Sequence, residues 1–83
     1  MRWFLYIVRC RDSTLYTGIT TNLARRVREH NLRIGAKSIR GKLPVELVYN
    51  EVYNSQNEVR KREVAIKSWK REDKLKLISG GKG

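Results

Sequence analysis

Residues 3–10, Trp-Phe-Leu-Tyr-Ile-Val-Arg-Cys, restrict the fold more than any other stretch of this chain. The run is almost continuously apolar and rich in β-branched and aromatic residues. It reads as a buried strand, central in its sheet. Asp12-Ser13 supplies turn chemistry. Residues 14–19, Thr-Leu-Tyr-Thr-Gly-Ile, come back as a second strand and make a hairpin.

The pattern then changes period. Thr21 or Asn22 can cap a helix through a side-chain oxygen. Leu23, Val27, His30 and Ile34 follow at helical spacing, and Gly35 reads as the stop. Residues 35–44 read as a basic loop carrying Lys37, Arg40 and Lys42, closed by Pro44. Residues 45–53 read as a third strand. Ser55 with Glu58 three residues on is a capping box, and it opens a helix running to about Lys70 with Val59, Ile66 and Trp69 inward. Glu72-Asp73 opens a short last helix with Leu75 and Ile78. The order β-β-α-β-α-α predicts an α+β fold with a three-stranded antiparallel sheet flanked by helices. Residues 1–79 read as one domain, and the glycine-rich residues 80–83 as a frayed tail.

Charge narrows the partners. Nineteen Lys and Arg face eight Asp and Glu, a formal net charge of +11 on 83 residues. Such an excess attracts polyanions, and nucleic acid is the commonest of them. The single Cys10 excludes an internal disulfide framework and fits a reducing, cytoplasmic setting. The apolar run from Trp3 to Val8 is too short to span a bilayer and runs into Arg9 and Arg11. It therefore reads as neither membrane span nor signal peptide.

Few residues here can do chemistry. Tyr6 and Tyr16 lie on the two arms of the hairpin, where cross-strand pairing can set them facing each other. Gly18 follows two residues later, and a glycine inside a strand often marks a close approach by other atoms. Arg26 and His30 are four apart and share a helix face. An arginine fork grips phosphate, and a histidine near its reference pKa moves protons at neutral pH. Glu63 sits beside the Val59–Ile66 stripe, where a carboxylate wants a cation, either a metal or a basic side chain such as Lys67. Arg25, Lys37, Arg40, Lys42, Lys67 and Lys70 are the residues best placed to track a phosphate backbone.

The order of these residues resembles the GIY-YIG nuclease superfamily over nearly the whole chain. The segment from Tyr16-Thr-Gly to Arg26 and His30-Asn31 is the most specific part. It is most similar to the small stand-alone bacterial branch and to the structure-specific resolvase branch, which carry histidine where the repair-nuclease branch has tyrosine. The resemblance implies a DNA endonuclease with Tyr6, Tyr16, Arg26, His30 and Glu63 catalytic. It also implies a divalent metal, Mg²⁺ or Mn²⁺, on Glu63, and a structure-specific or repair-related substrate. Phe4-Leu5-Tyr6 lacks the first motif's glycine, Ile19 replaces a lysine found in some branches, and no asparagine follows the glutamate helix. No room is expected for a separate DNA-reading domain, so any sequence specificity would come from a protein partner or be absent. Two alternatives stand beside the enzyme: a nucleic-acid-binding module without turnover, and a subunit active only with a partner.

Overall fold

A computed structural model describes residues 1–80 of the chain. Its elements are β1 (Trp3–Arg9), β2 (Leu15–Thr20), α1 (Leu23–Asn31), a 3-10 helix (Lys37–Lys42), β3 (Glu46–Tyr53), α2 (Gln56–Lys67) and α3 (Arg71–Ile78). The strands form one antiparallel sheet in the order β2-β1-β3, so β1 is central as its apolar run requires. Leu5, Tyr6, Ile7 and Val8 are all essentially inaccessible. A strand that alternates faces at every residue needs cover on both sides to achieve this.

The two covers differ in kind. Tyr6 and Val8 join Cys10, Ile39 and Val45, and α1 packs here through Leu23 and Val27. Leu5 and Ile7 join Val59 and Ile66 of α2, with Trp69, Leu77 and Ile78 adding to that layer. The sheet thus separates α1 and the 3-10 helix from α2 and α3.

Local chemistry fixes the joints. Asp12 Oδ1 accepts from the Thr14 amide (3.1 Å) and hydroxyl (2.6 Å), and Ser13 takes a left-handed φ of 71° at the hairpin turn. Asn22, not Thr21, caps α1, accepting from the Arg25 amide at 3.0 Å. Ser55 caps α2, accepting from the Glu58 amide at 3.2 Å, as its capping box predicts.

Several expectations need correction. Helix α1 ends at Asn31, so Ile34 is not on its apolar stripe; it lies beyond the helix and is 64% exposed. The stop is a Schellman turn: the Arg33 amide bonds the His30 carbonyl and the Ile34 amide bonds the Glu29 carbonyl, both at 3.0 Å. Arg33, at φ 68°, holds the left-handed position that Gly35 was expected to supply. Part of the basic loop is a 3-10 helix, because Ile39 turns into the core there. Helix α2 stops at Lys67 rather than near Lys70, and Trp69 still packs inward from beyond its end. Residues 81–83 of the expected tail lie outside the described part of the chain.

Candidate active site

Strand register sets the first pair. Tyr6 is opposite Gly18, and Tyr16 is opposite Val8. The two tyrosines therefore do not face each other directly, as was expected, but meet on the diagonal with ring centroids 6.4 Å apart. Gly18 earns its place through contact. A Cβ there would lie 2.5 Å from the Tyr6 hydroxyl and 2.7 Å from its Cζ. The Tyr6 ring lies directly over the bare glycine backbone, in the space a side chain would fill.

Helix α1 brings the second pair to the same face. His30 is 1% exposed, and its Nε2 is 2.8 Å from the Tyr6 hydroxyl. Tyr16 meets the imidazole edge-on, with centroids 5.5 Å apart. The other ring nitrogen, Nδ1, accepts from the Ala36 amide at 3.4 Å. A donor on Nδ1 puts the imidazole proton on Nε2, so His30 donates to the Tyr6 oxygen. Gly35 allows this closure, since a Cβ there would collide with the imidazole.

Electrostatics follow from burial. Burial pushes the Tyr6 phenol up to about 12; the Arg26 guanidinium beside it opposes the rise, and the charges of Tyr16 and Glu63 add to it. His30 is held below the ordinary imidazole range, first by burial and then by the positive charge of Arg26. It is therefore neutral at pH 7. Arg26 donates to Glu29 at 2.9 Å, one turn along α1.

Glu63 arrives from the other layer. It sits on α2, across the sheet from α1, with its side chain only 15% exposed and its Oε2 3.0 Å from Lys67 Nζ. The charge of Glu63 is nonetheless felt at the Tyr6 phenol. The structure thus unites Tyr6, Tyr16, Arg26 and His30, and brings Glu63 within electrostatic reach from the opposite side. Among the described residues no three His, Cys, Asp or Glu side chains cluster as a metal cage. Glu63, mostly buried and paired with Lys67, is a carboxylate near the site that could contribute to a magnesium ion, which keeps waters and takes its remaining oxygens from phosphate.

The basic residues divide likewise. Lys37 and Arg40 are exposed on the 3-10 helix, on the Tyr6 side. Lys42 lies 3.9 Å from Asp12, and Arg25 lies 3.8 Å from Glu29 while staying mostly exposed. Lys67 and Lys70 belong to the α2–α3 layer, so the basic clusters lie on the two sides of the sheet. Sequence reasoning missed two supports of the site. Glu29 holds Arg26, a pairing visible in their i,i+3 spacing. Asn31 pairs its side-chain amide with both backbone groups of Val45, at 2.7 and 3.1 Å, which ties the end of α1 to the entry of β3. No local pattern announces the second.

Comparison with known proteins gives the chain its relatives. A family model described as the GIY-YIG catalytic domain matches residues 2–76. A UPF0213 protein of Staphylococcus haemolyticus is 47% identical over 75 residues, 90% of this chain and 92% of that one. The solution NMR structure of a UPF0213 protein of Bacillus halodurans superposes with a TM-score of 0.62 at 37% identity, covering 95% of this chain and 84% of that one. An Enterococcus protein, from E. faecalis and also solved by NMR, gives 0.65 at 32% identity with the same coverages.

Proposed function

The chain belongs to the GIY-YIG catalytic-domain family, and on that footing we propose that it is a metal-dependent endonuclease that hydrolyses DNA phosphodiester bonds. One observation carries this reading: a buried phenol, Tyr6, fixed by His30 at 2.8 Å beside the Arg26 guanidinium. Hydrolysis needs an oxygen that can take a proton from water and a cation for the charge that develops on phosphate. Tyr6 supplies the oxygen. Its proton is tightly held at neutral pH, so the ionised form is scarce but strongly basic. The His30 Nε2–H and Arg26 both stabilise that ionised form, which makes His30 a positioning donor rather than the base.

Arg26 would exchange Glu29 for the non-bridging oxygens of the scissile phosphate, where its planar fork fits bidentately. Tyr16 packs edge-on against His30 and keeps the ring in place. Glu63 would hold a magnesium or manganese ion, which supplies charge neutralisation at the leaving oxygen. Arg25, Lys37, Arg40, Lys67 and Lys70 would follow the backbone on either side.

The grip of Lys67 on Glu63 favours a second reading, a nucleic-acid-binding module without turnover, or one that turns over only with a partner. One assay separates them. The purified chain is incubated with single-stranded, duplex, flap and four-way DNA in Mg²⁺, Mn²⁺ or EDTA, beside Glu63→Gln. The enzyme reading expects metal-dependent cleavage that Glu63→Gln abolishes while DNA affinity stays level or rises. Binding without cleavage in every metal, or full cleavage by Glu63→Gln, rejects the metal role of Glu63.

A further inference from the structure

Just beyond α1 the chain exposes two large aliphatic side chains with a cation between them. Leu32 is 61% exposed and Ile34 64%. Single exposed aliphatics need no explanation. Three features set this pair apart.

First, the tip is tied back onto the helix. The Leu32, Arg33 and Ile34 amides each donate back to α1 carbonyls, to Arg28, His30 and Glu29 respectively, at 2.9–3.0 Å. Second, the turn is built against backbone preference. Arg33 occupies the left-handed position, which glycine normally fills in a Schellman turn. In such turns the residue in the Ile34 position frequently makes an apolar contact with the last helical turn, yet here that turn offers Arg28 and Glu29 and Ile34 is 64% exposed. Third, the flanking residues are basic: Arg28, Arg33 and Lys37 are all exposed, and the neighbouring acid, Glu29, is engaged by Arg25 and Arg26.

The tip is also joined to the site. Two residues after Ile34, the Ala36 amide holds His30 Nδ1, and Gly35 closes on the same ring. The tip is thus two residues from a contact on the ring that orients Tyr6.

We propose that Leu32 and Ile34 form an apolar wedge, collared by Arg28, Arg33 and Lys37, that stacks on the unpaired or kinked base step of a DNA branch. The collar sits on the flanking phosphates and the aliphatic tips replace the stacking partner that a branch point has lost. Continuous duplex offers the collar its phosphates but offers the tips nothing. The wedge thus rests on the DNA reading above and names what in the substrate the site selects.

The test measures binding in EDTA, which removes turnover from the readout. Wild type and Leu32→Ala/Ile34→Ala are titrated onto a fork carrying 2-aminopurine at the branch and onto duplex of the same sequence. Both positions are exposed, so the double variant keeps its fold, which circular dichroism verifies. Wild type is expected to prefer the fork at least about tenfold and to change the 2-aminopurine emission. The variant is expected to keep duplex affinity and its salt dependence, and to lose both the preference and the emission change. An unchanged fork-to-duplex ratio overturns the wedge while leaving the DNA reading intact. A variant altered only in self-association assigns the tip to contacts between protein copies and also overturns it. A wild type that binds neither DNA at low salt overturns wedge and nuclease together.

Discussion

Gly18→Ala pits two physical effects of opposite sign against each other. Gly18 has an ordinary strand backbone, so alanine is locally allowed there. Removing a glycine's freedom from the unfolded chain would by itself stabilise by about 0.4–1 kcal/mol. Against this, the new Cβ would sit 2.5 Å from the Tyr6 hydroxyl and 2.7 Å from Cζ. Tyr6 is 1% exposed and has no room to retreat. Overpacking of this kind costs about 1–3 kcal/mol, and displacing the phenol from His30 forfeits about 0.5–1.5 kcal/mol more. The balance is a loss of about 0.5–4 kcal/mol, on the order of 2–30 °C in Tm for a domain of this size. Urea unfolding at constant m-value measures it. In a Tyr6→Leu background the ring is gone, and the same glycine substitution is expected to be neutral or stabilising. An equal cost in both backgrounds, or a more stable single variant, would refute the claim that Gly18 exists to admit the Tyr6 ring.

Three further outcomes follow from the same geometry. His30 has a depressed folded pKa, so the unfolded chain takes up its proton first as pH falls; stability is full above about pH 6.5 and declines below it, by at most about 1.4 kcal/mol per pH unit. Urea midpoints between pH 7.5 and 5 are expected to show this slope in wild type and not in His30→Gln. The raised Tyr6 phenol predicts single-turnover cleavage that climbs about tenfold per pH unit from 7 to 9, and a plateau from pH 6.5 upward would transfer the base role to His30. Glu51 receives Tyr49 (2.5 Å), Tyr53 (2.7 Å) and both Arg62 donors (3.0 Å each). Glu51→Gln is expected to cost about 1.5–3 kcal/mol in thermal unfolding without changing DNA affinity, and a loss under about 0.5 kcal/mol would show that the network is dispensable.

The elements that were legible in the sequence are those whose signals are local. The apolar run of β1, the Asp12 turn, the Asn22 cap and the Ser55–Glu58 box each specify their own few residues, and each is found. The end of α1 is not legible locally, because Gly35 reads as the stop. Its real work is to lie against His30, a contact that exists only after the loop has folded back. The 3-10 helix depends on Ile39 finding the Tyr6 core, which no pattern within residues 35–44 reveals. That Glu63 comes from the α2 layer while Arg26 and His30 come from α1 is likewise a property of topology. The Glu51–Arg62 network spans eleven residues and two elements, and its partners look like ordinary surface charges in isolation.

The central position of β1 has a consequence for how the molecule is made. Its first partner arrives early, since the hairpin closes within twenty residues, but its second, β3, pairs Trp3 with Tyr53. During vectorial synthesis the ribosome must therefore deliver about fifty residues while one edge of an aliphatic ribbon stays unpaired. Unpaired apolar edges are where nascent chains find the wrong neighbours. The first nine residues commit the architecture, and the chain remains vulnerable until the third strand emerges.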